Sequence, residues 1–292
     1  MLDHLLRPSA DPSKTEAMKT APLVLRAGPC SVAVDLASGG RLSSWQIHGQ
    51  EVLEQRSPGN HPFGWGSYAM VPWAGRLRNG QFTFDNVEYT MAPTMDRHAI
   101  HGTTYDVPWT HLTGSDDWAM IGMRLEDPWP FGGSVTHLIH LGTDSLTQTL
   151  TVVAGNQPMP ATVGWHPWFR RQLDFGGPLH LAVDMSRAGM LVRDGAYIPS
   201  GDVVPVGPRP WDDCFECVGS IALRWDGFAR IDVAHECENV VMYDPPHAIC
   251  VEPQSGPPDS FNLVAQQCRL EAGEVLERTV TWRWTMASQT HT

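Results

Sequence analysis

The chain is poor in the features that mark several large protein classes. Its six cysteines, at positions 30, 214, 217, 237, 250 and 268, are too few for a disulfide scaffold of 292 residues. The first twenty residues include Asp3, Arg7, Asp11, Lys14, Glu16 and Lys19, so they hold no apolar signal-peptide core. No segment approaches the ~18 uninterrupted apolar residues of a membrane span. Basic residues are scarce: 20 Lys and Arg stand against 32 Asp and Glu, for a formal net charge of -12. Nucleic acid and anionic membranes call for a clustered basic surface, so neither is expected as a partner. There is no Gly-rich phosphate loop. Cys214-x-x-Cys217 lacks a second CxxC or a His-x₃-His, so both residues read as ordinary thiols and not as a zinc or redox motif. The expectation is a soluble, reduced, cytoplasmic protein that acts on a neutral or positively charged small molecule.

Helical periodicity is also lacking. No stretch of a dozen residues carries an apolar stripe at a spacing of 3.6. Residues 1–22, polar from Ser9 to Thr20, read as a lead-in, a short helix or a disordered arm. From Leu23 the period is two. Ser31–Leu36 alternates, Ser38-Gly39-Gly40 turns the chain, and Arg41–Ile47 begins again. Gln81–Phe84 and Val87–Thr90 flank Asp85-Asn86 in the pattern of a hairpin. Strands follow over Trp118–Leu125, Ser134–Leu141, Leu146–Val153, Leu179–Val183, Ile221–Trp225, Ala229–Val233, Val240–Tyr243, Ala248–Glu252 and Glu274–Trp284. With 24 prolines and 27 glycines as punctuation, this is an all-β chain of many antiparallel strands. Such a chain resolves into packed sheets, a large sandwich. No composition shift marks a linker, so residues 23–286 read as a single domain.

What the chain does have is a set of polar and aromatic islands rich in Gly and Pro, each read as a rigid loop or a strand end, where β scaffolds hold their sites. The densest is Gly164-Trp165-His166-Pro167-Trp168-Phe169-Arg170-Arg171. The others are Tyr68–Leu77, His98–Gly102 and Glu252–Asn262. Histidine titrates near neutral pH and suits acid and base work. Tryptophan offers a flat face for a ring-shaped ligand. Taken singly, each residue has an ordinary reading: Glu252 as an exposed carboxylate, Arg76 in a surface ion pair, His101 satisfying a backbone group. With 12 tryptophans, Trp65, Trp73, Trp165 and Trp168 divide between sugar stacking and core. His98-x-x-His101 and His137-x-x-His140 have two-ligand spacing. Residues three apart in a strand face opposite ways, which makes structural histidines the better reading.

In order and spacing, the islands resemble the aldose 1-epimerase (galactose mutarotase) family. The matching segments are Pro72-Trp73-Ala74-Gly75-Arg76, His101-Gly102, Gly164-Trp165-His166-Pro167-Trp168-Phe169 and Glu252–Asn262, and the likeness runs from about Leu23 to Trp284. One departure is Gly75, where the family often has Asn, so any contact made by that Asn is missing. The resemblance implies a mutarotase-like supersandwich that interconverts the α and β anomers of a free hexose without metal or organic cofactor. It implies Glu252 as base, His166 as acid, and Arg76 and His101 as sugar-binding groups. The family's Asp-x-x-Phe segment falls on Asp212-Asp213-Cys214-Phe215, which points to Asp212 with Asp213 adjacent. Two other readings accompany it. A hexose 6-phosphate would call for extra cations, and Arg78, Arg97, Arg170 and Arg171 lie beside the motifs. A non-catalytic sugar-binding or sensing protein would keep the fold without turnover. The partner is a small sugar, and the protein is a monomer or a homodimer.

Overall fold

The computed structural model describes residues 22–59 and 61–287; the lead-in expected over residues 1–22 falls, all but its last residue, outside them. Strands make up 52% of the chain and helix 3%, as the period-two patterning predicts. Two large antiparallel sheets face each other, one of eleven strands and one of eight. Seven strands of the larger sheet concern the site: β1 (Ser67–Met70), β2 (Gly164–Arg170), β3 (Gly189–Arg193), β4 (Pro199–Pro205), β5 (Asp212–Glu216), β6 (Asn239–Tyr243) and β7 (Ala248–Gln254). They lie in the order β1-β2-β7-β6-β5-β3-β4, with β4 at the sheet edge.

The expected hairpin forms as read. Phe84 pairs with Val87, and Asp85 and Asn86 take the two positive φ values, 49° and 61°, that a tight primed turn requires. One expectation is corrected. The island Gly164–Arg170 is not a loop or strand end but a strand inside the sheet, paired on both sides and buried at all but its last residue. Proline is disfavoured there because it cannot donate to a ladder. The ladder between β2 and β7 accommodates it: Gly164 pairs with Gln254 and Trp168 with Cys250, and no pairing is made at Pro167 between them.

Alternation along β2 separates two environments. Trp165 and Phe169 point into the inter-sheet core. Trp165 Nε1 there donates to His137 Nε2 of the facing sheet at 3.4 Å. Phe169 packs edge-on against Trp282, with ring centroids 5.8 Å apart, and Trp45 stacks on Trp282 at 5.3 Å. Burying each such side chain contributes on the order of 2–3 kcal/mol. His166 and Trp168 point the other way. Trp168 joins Tyr68, Phe63, Ile100 and Cys250 in a second, smaller apolar cluster on the outer face of the sheet. The core tryptophans thus hold rigid the strand whose other face carries His166.

Candidate active site

Antiparallel registers bring residues distant in sequence into rows. The β2–β7 register on either side of Pro167 sets His166 opposite Glu252. His166 also pairs with Tyr68 of β1, Glu252 with Val241 of β6, and Val241 with Cys214 of β5. The next row is Trp168, Cys250, Tyr243 and Asp212. Cross-strand partners share a face, so both rows look outward, and all their members except Tyr68 and Cys250 line one cavity of about 260 Å³. His166, Glu252, Arg76, His101 and Asp212 all line it. All five residues singled out in the sequence therefore come together.

His166 and Glu252 form the floor. Nε2 and Oε1 are 3.2 Å apart, and both side chains are almost fully buried. Burial lowers the imidazole to about 3 and raises the carboxyl well above its usual range, the latter with help from the negative Asp212. Gln254 Nε2 donates to the other carboxylate oxygen at 3.3 Å, and Arg76 also favours the charged form. The imidazole is held flat between two rings, Tyr68 at 5.0 Å and Trp168 at 5.1 Å. His101 meets it edge-on at 5.1 Å.

Arg76 lies on the short strand Arg76–Leu77, whose pairing with Ala99–Ile100 places His101 beside it. Among the described residues Arg76 has no acidic partner within ion-pair distance. His101 is buried with a positive φ of 62° and donates its backbone N–H to the Gly75 carbonyl at 3.0 Å. Burial, then His166 and Arg76, hold His101 well below the usual imidazole range. Gly102, also at positive φ, lies where a Cβ would sit 1.9 Å from the Val71 oxygen, so only glycine closes this bend. Asp212 and Asp213 separate by environment. Asp213 is taken by Arg193, Nε to Oδ1 at 2.5 Å, whereas Asp212 shares a row with Tyr243 and makes no ion pair among the described residues. Burial raises the Asp212 carboxyl despite Arg76 and Arg193.

The cations flagged for a sugar phosphate do not line the cavity. Arg78 pairs with Asp194 at 2.8 Å, Arg170 with Asp174 at 3.7 Å, and Arg171 with Asp244. Arg97 is absent from the lining as well. His98 accepts from the Asn79 backbone at 3.0 Å, and His137 is buried between the sheets; neither lines the cavity. Cys214 and Cys217 are free. His166, Cys250 and Glu252 have ligand atoms within 4.8 Å of one another, but Cys250, buried on the same face, is not part of the cavity lining.

Sequence reasoning missed Arg193, Tyr197 and Tyr243, which also line the cavity. Tyr243 was findable, since it ends the recognised strand Val240–Tyr243; Arg193 and Tyr197 sit in a segment without a motif. The buried Arg41 was missed too. Its guanidinium donates to the carbonyls of Ser38, Pro62, Trp65 and Tyr105 and stacks on Trp65 at 4.1 Å, which fixes the loop carrying His61, Phe63 and Gly64 to the rim.

Comparison with known proteins agrees with this architecture. The uncharacterized protein YphB of Escherichia coli (strain K12) is 28% identical over 193 residues, a match that covers 63% of this chain and 63% of that relative's length. A galactose mutarotase-like protein from Clostridium acetobutylicum superposes with a TM-score of 0.78 at 16% identity, over 90% of this chain and 95% of that one. The galactose 1-epimerase from Lactobacillus acidophilus NCFM gives 0.73 at 19% identity, over 90% and 93%. At such identities these structures speak for the fold. Residues 24–216 match the family described as aldose 1-epimerase, a span that holds Arg76, His101, His166 and Asp212 and ends before Glu252. With most of its length in that match, the chain belongs to the aldose 1-epimerase family.

Proposed function

We propose that the protein interconverts the α and β anomers of a free, neutral aldose, a hexose in the first instance. The observation that carries this reading is the buried His166–Glu252 pair, 3.2 Å apart on the floor of a cavity that also presents Arg76, His101 and Asp212.

The chemistry needs one base and one acid. Glu252 takes the proton of the C1 hydroxyl as His166 gives a proton to the ring oxygen, and the C1–O5 bond breaks to leave an open aldehyde. Rotation about C1–C2 presents the other carbonyl face. Closure reverses both transfers, so no proton is gained or lost. Each positioned group contributes ~10²–10⁴-fold. Burial favours the carboxylic acid and the free imidazole, so the pair holds a single proton. Passing it from Oε1 to Nε2 yields the carboxylate and imidazolium from which ring opening starts. Arg76 favours the carboxylate, and the flanking Tyr68 and Trp168 faces favour the imidazolium. Arg76, Asp212 and His101 hold the sugar hydroxyls in one orientation, which lowers the entropic part of the barrier.

A 6-phosphate substrate is the weaker reading because Arg78, Arg170 and Arg171 are committed to acids outside the cavity. A purely sensing role would leave the buried acid–base pair without a task. The free thiols are in keeping with a reduced, cytoplasmic setting. The test is the decay of optical rotation of freshly dissolved α-D-glucose and α-D-galactose. Acceleration over the spontaneous rate is expected with the free sugars, and a rate equal to the spontaneous one for sugars and sugar phosphates alike would refute the enzyme reading.

A further inference from the structure

The hairpin tip between β3 and β4 carries Tyr197, at 40% accessible the most exposed of the Phe, Tyr and Trp residues on the cavity lining. Three independent observations single it out. Its backbone sits at φ 60°, a left-handed conformation that bulky side chains rarely adopt. Such a conformation persists only where the surroundings over-determine it, and here they do. The Asp194 carbonyl accepts the Tyr197 N–H at 3.0 Å, while Asp194 Oδ1 accepts from Ala196 at 2.8 Å and from Ile198 at 3.2 Å. Second, the tip is anchored across the cavity mouth: Asp194 Oδ2 pairs with Arg78 Nη1 at 2.8 Å, two residues along from Arg76. Third, the ring is gripped by both cavity cations, with Arg193 4.3 Å and Arg76 5.1 Å from its centre.

An exposed ring held in a strained conformation beside two guanidinium groups has no packing reason to be there. β4 is the sheet edge, and its exposed face offers the ring no core. We infer that Tyr197 is a substrate-positioning residue: its ring face closes the cavity wall against the apolar face of the aldose and holds Arg76 in the orientation that meets the sugar hydroxyls. This inference rests on the epimerase reading for its substrate. The phenol oxygen has no hydrogen-bond partner among the described residues, so the ring and not the hydroxyl carries the role. The contact is made equally with the cyclic ground state and the transition state, and so it affects KM more than kcat.

The test uses the full chain with Tyr197→Ala and Tyr197→Phe, read by rotation kinetics, by calorimetric titration with galactose and glucose, and by thermal melting. Tyr197→Ala is expected to raise KM and the calorimetric Kd about tenfold, the usual worth of an aromatic and cation–π contact, with kcat within about twofold. Tyr197→Phe should stay within about twofold of the parent in all three quantities, and both variants should melt with the parent because the ring is exposed. An unchanged Kd in Tyr197→Ala would overturn the inference, as would a Tyr197→Phe as weak as Tyr197→Ala, which would move the role to the hydroxyl. A tenfold loss of binding in Tyr197→Ala without any turnover in the parent would sustain Tyr197 and refute the epimerase reading alone.

Discussion

At the scale of single residues, the decisive property of His166 and Glu252 is that both are buried and that Nε2 and Oε1 lie 3.2 Å apart. Either one alone would carry a large desolvation cost as an ion; together they share one proton and need no net charge. The pH response follows from the directions of the two shifts. Adding a second proton is resisted until the pH approaches about 3, the value to which burial lowers His166. Removing the first is resisted well above the usual carboxylate range because the same burial raises Glu252. The value of kcat/KM reports the free enzyme, so it should stay level from about pH 5 through neutrality, without the inflection near 6.5 of an ordinary histidine. An acid limb centred there would contradict the neutral buried pair. Glu252→Gln and His166→Asn should each lower kcat/KM by ~10²–10⁴-fold while the melting curve keeps its shape and cooperativity. Full activity in either variant would remove that residue from the mechanism.

At the scale of elements, much of the site was legible and part of it was not. The strands and the Asp85-Asn86 hairpin follow from alternation and turn chemistry, which are local. The Gly164–Arg170 island was misread because Pro167 and His166 both argue against a central strand. Once it is read as one, alternation alone assigns Trp165 to the core and Trp168 to the cavity. The His166–Glu252 contact was available only through the resemblance, since a register between segments so far apart leaves no mark in either one.

Gly75 is a further case. Its positive φ of 70° is one that Asn tolerates, so the backbone does not explain the departure from the family's Asn. The obstacle is lateral: a Cβ would lie 2.8 Å from Cβ and Cγ of Pro258. Pro258 cannot yield freely, because the next residue, Asp259, donates its N–H to the Arg76 carbonyl at 2.6 Å and accepts from the Arg78 N–H at 2.8 Å. Gly75→Asn is therefore expected to destabilise the fold by about 1–3 kcal/mol, the range for overpacking, and to raise KM by displacing Arg76. Urea denaturation and rotation kinetics check both. Unchanged stability with a lower KM would show that the site accepts the family's residue after all.

At the scale of the whole molecule, the two sheets meet over a core that is apolar except for a few buried polar groups, and His137 is the one whose charge matters most. It is enclosed between the sheets, accepts from Trp165 Nε1, and is lowered by burial to about 3. Between about pH 6.5 and 3 the unfolded chain protonates this histidine and the folded chain does not, so the unfolded state binds more protons. Stability then rises with pH over that window. The contribution is fully present above about 6.5 and is lost progressively as the pH falls toward 3. His101 and His166 are lowered in the same direction, so the slope of the parent protein mixes several groups. A comparison isolates His137. In His137→Leu the Trp165 N–H loses its acceptor, which costs ~1–3 kcal/mol at every pH, whereas the pH-dependent part contributed by position 137 vanishes. Unfolding free energies of parent and variant should therefore converge as the pH is lowered from 7 toward 4. Parallel curves across that range would mean that His137 is already protonated in the fold, or that the sheets open enough to hydrate it.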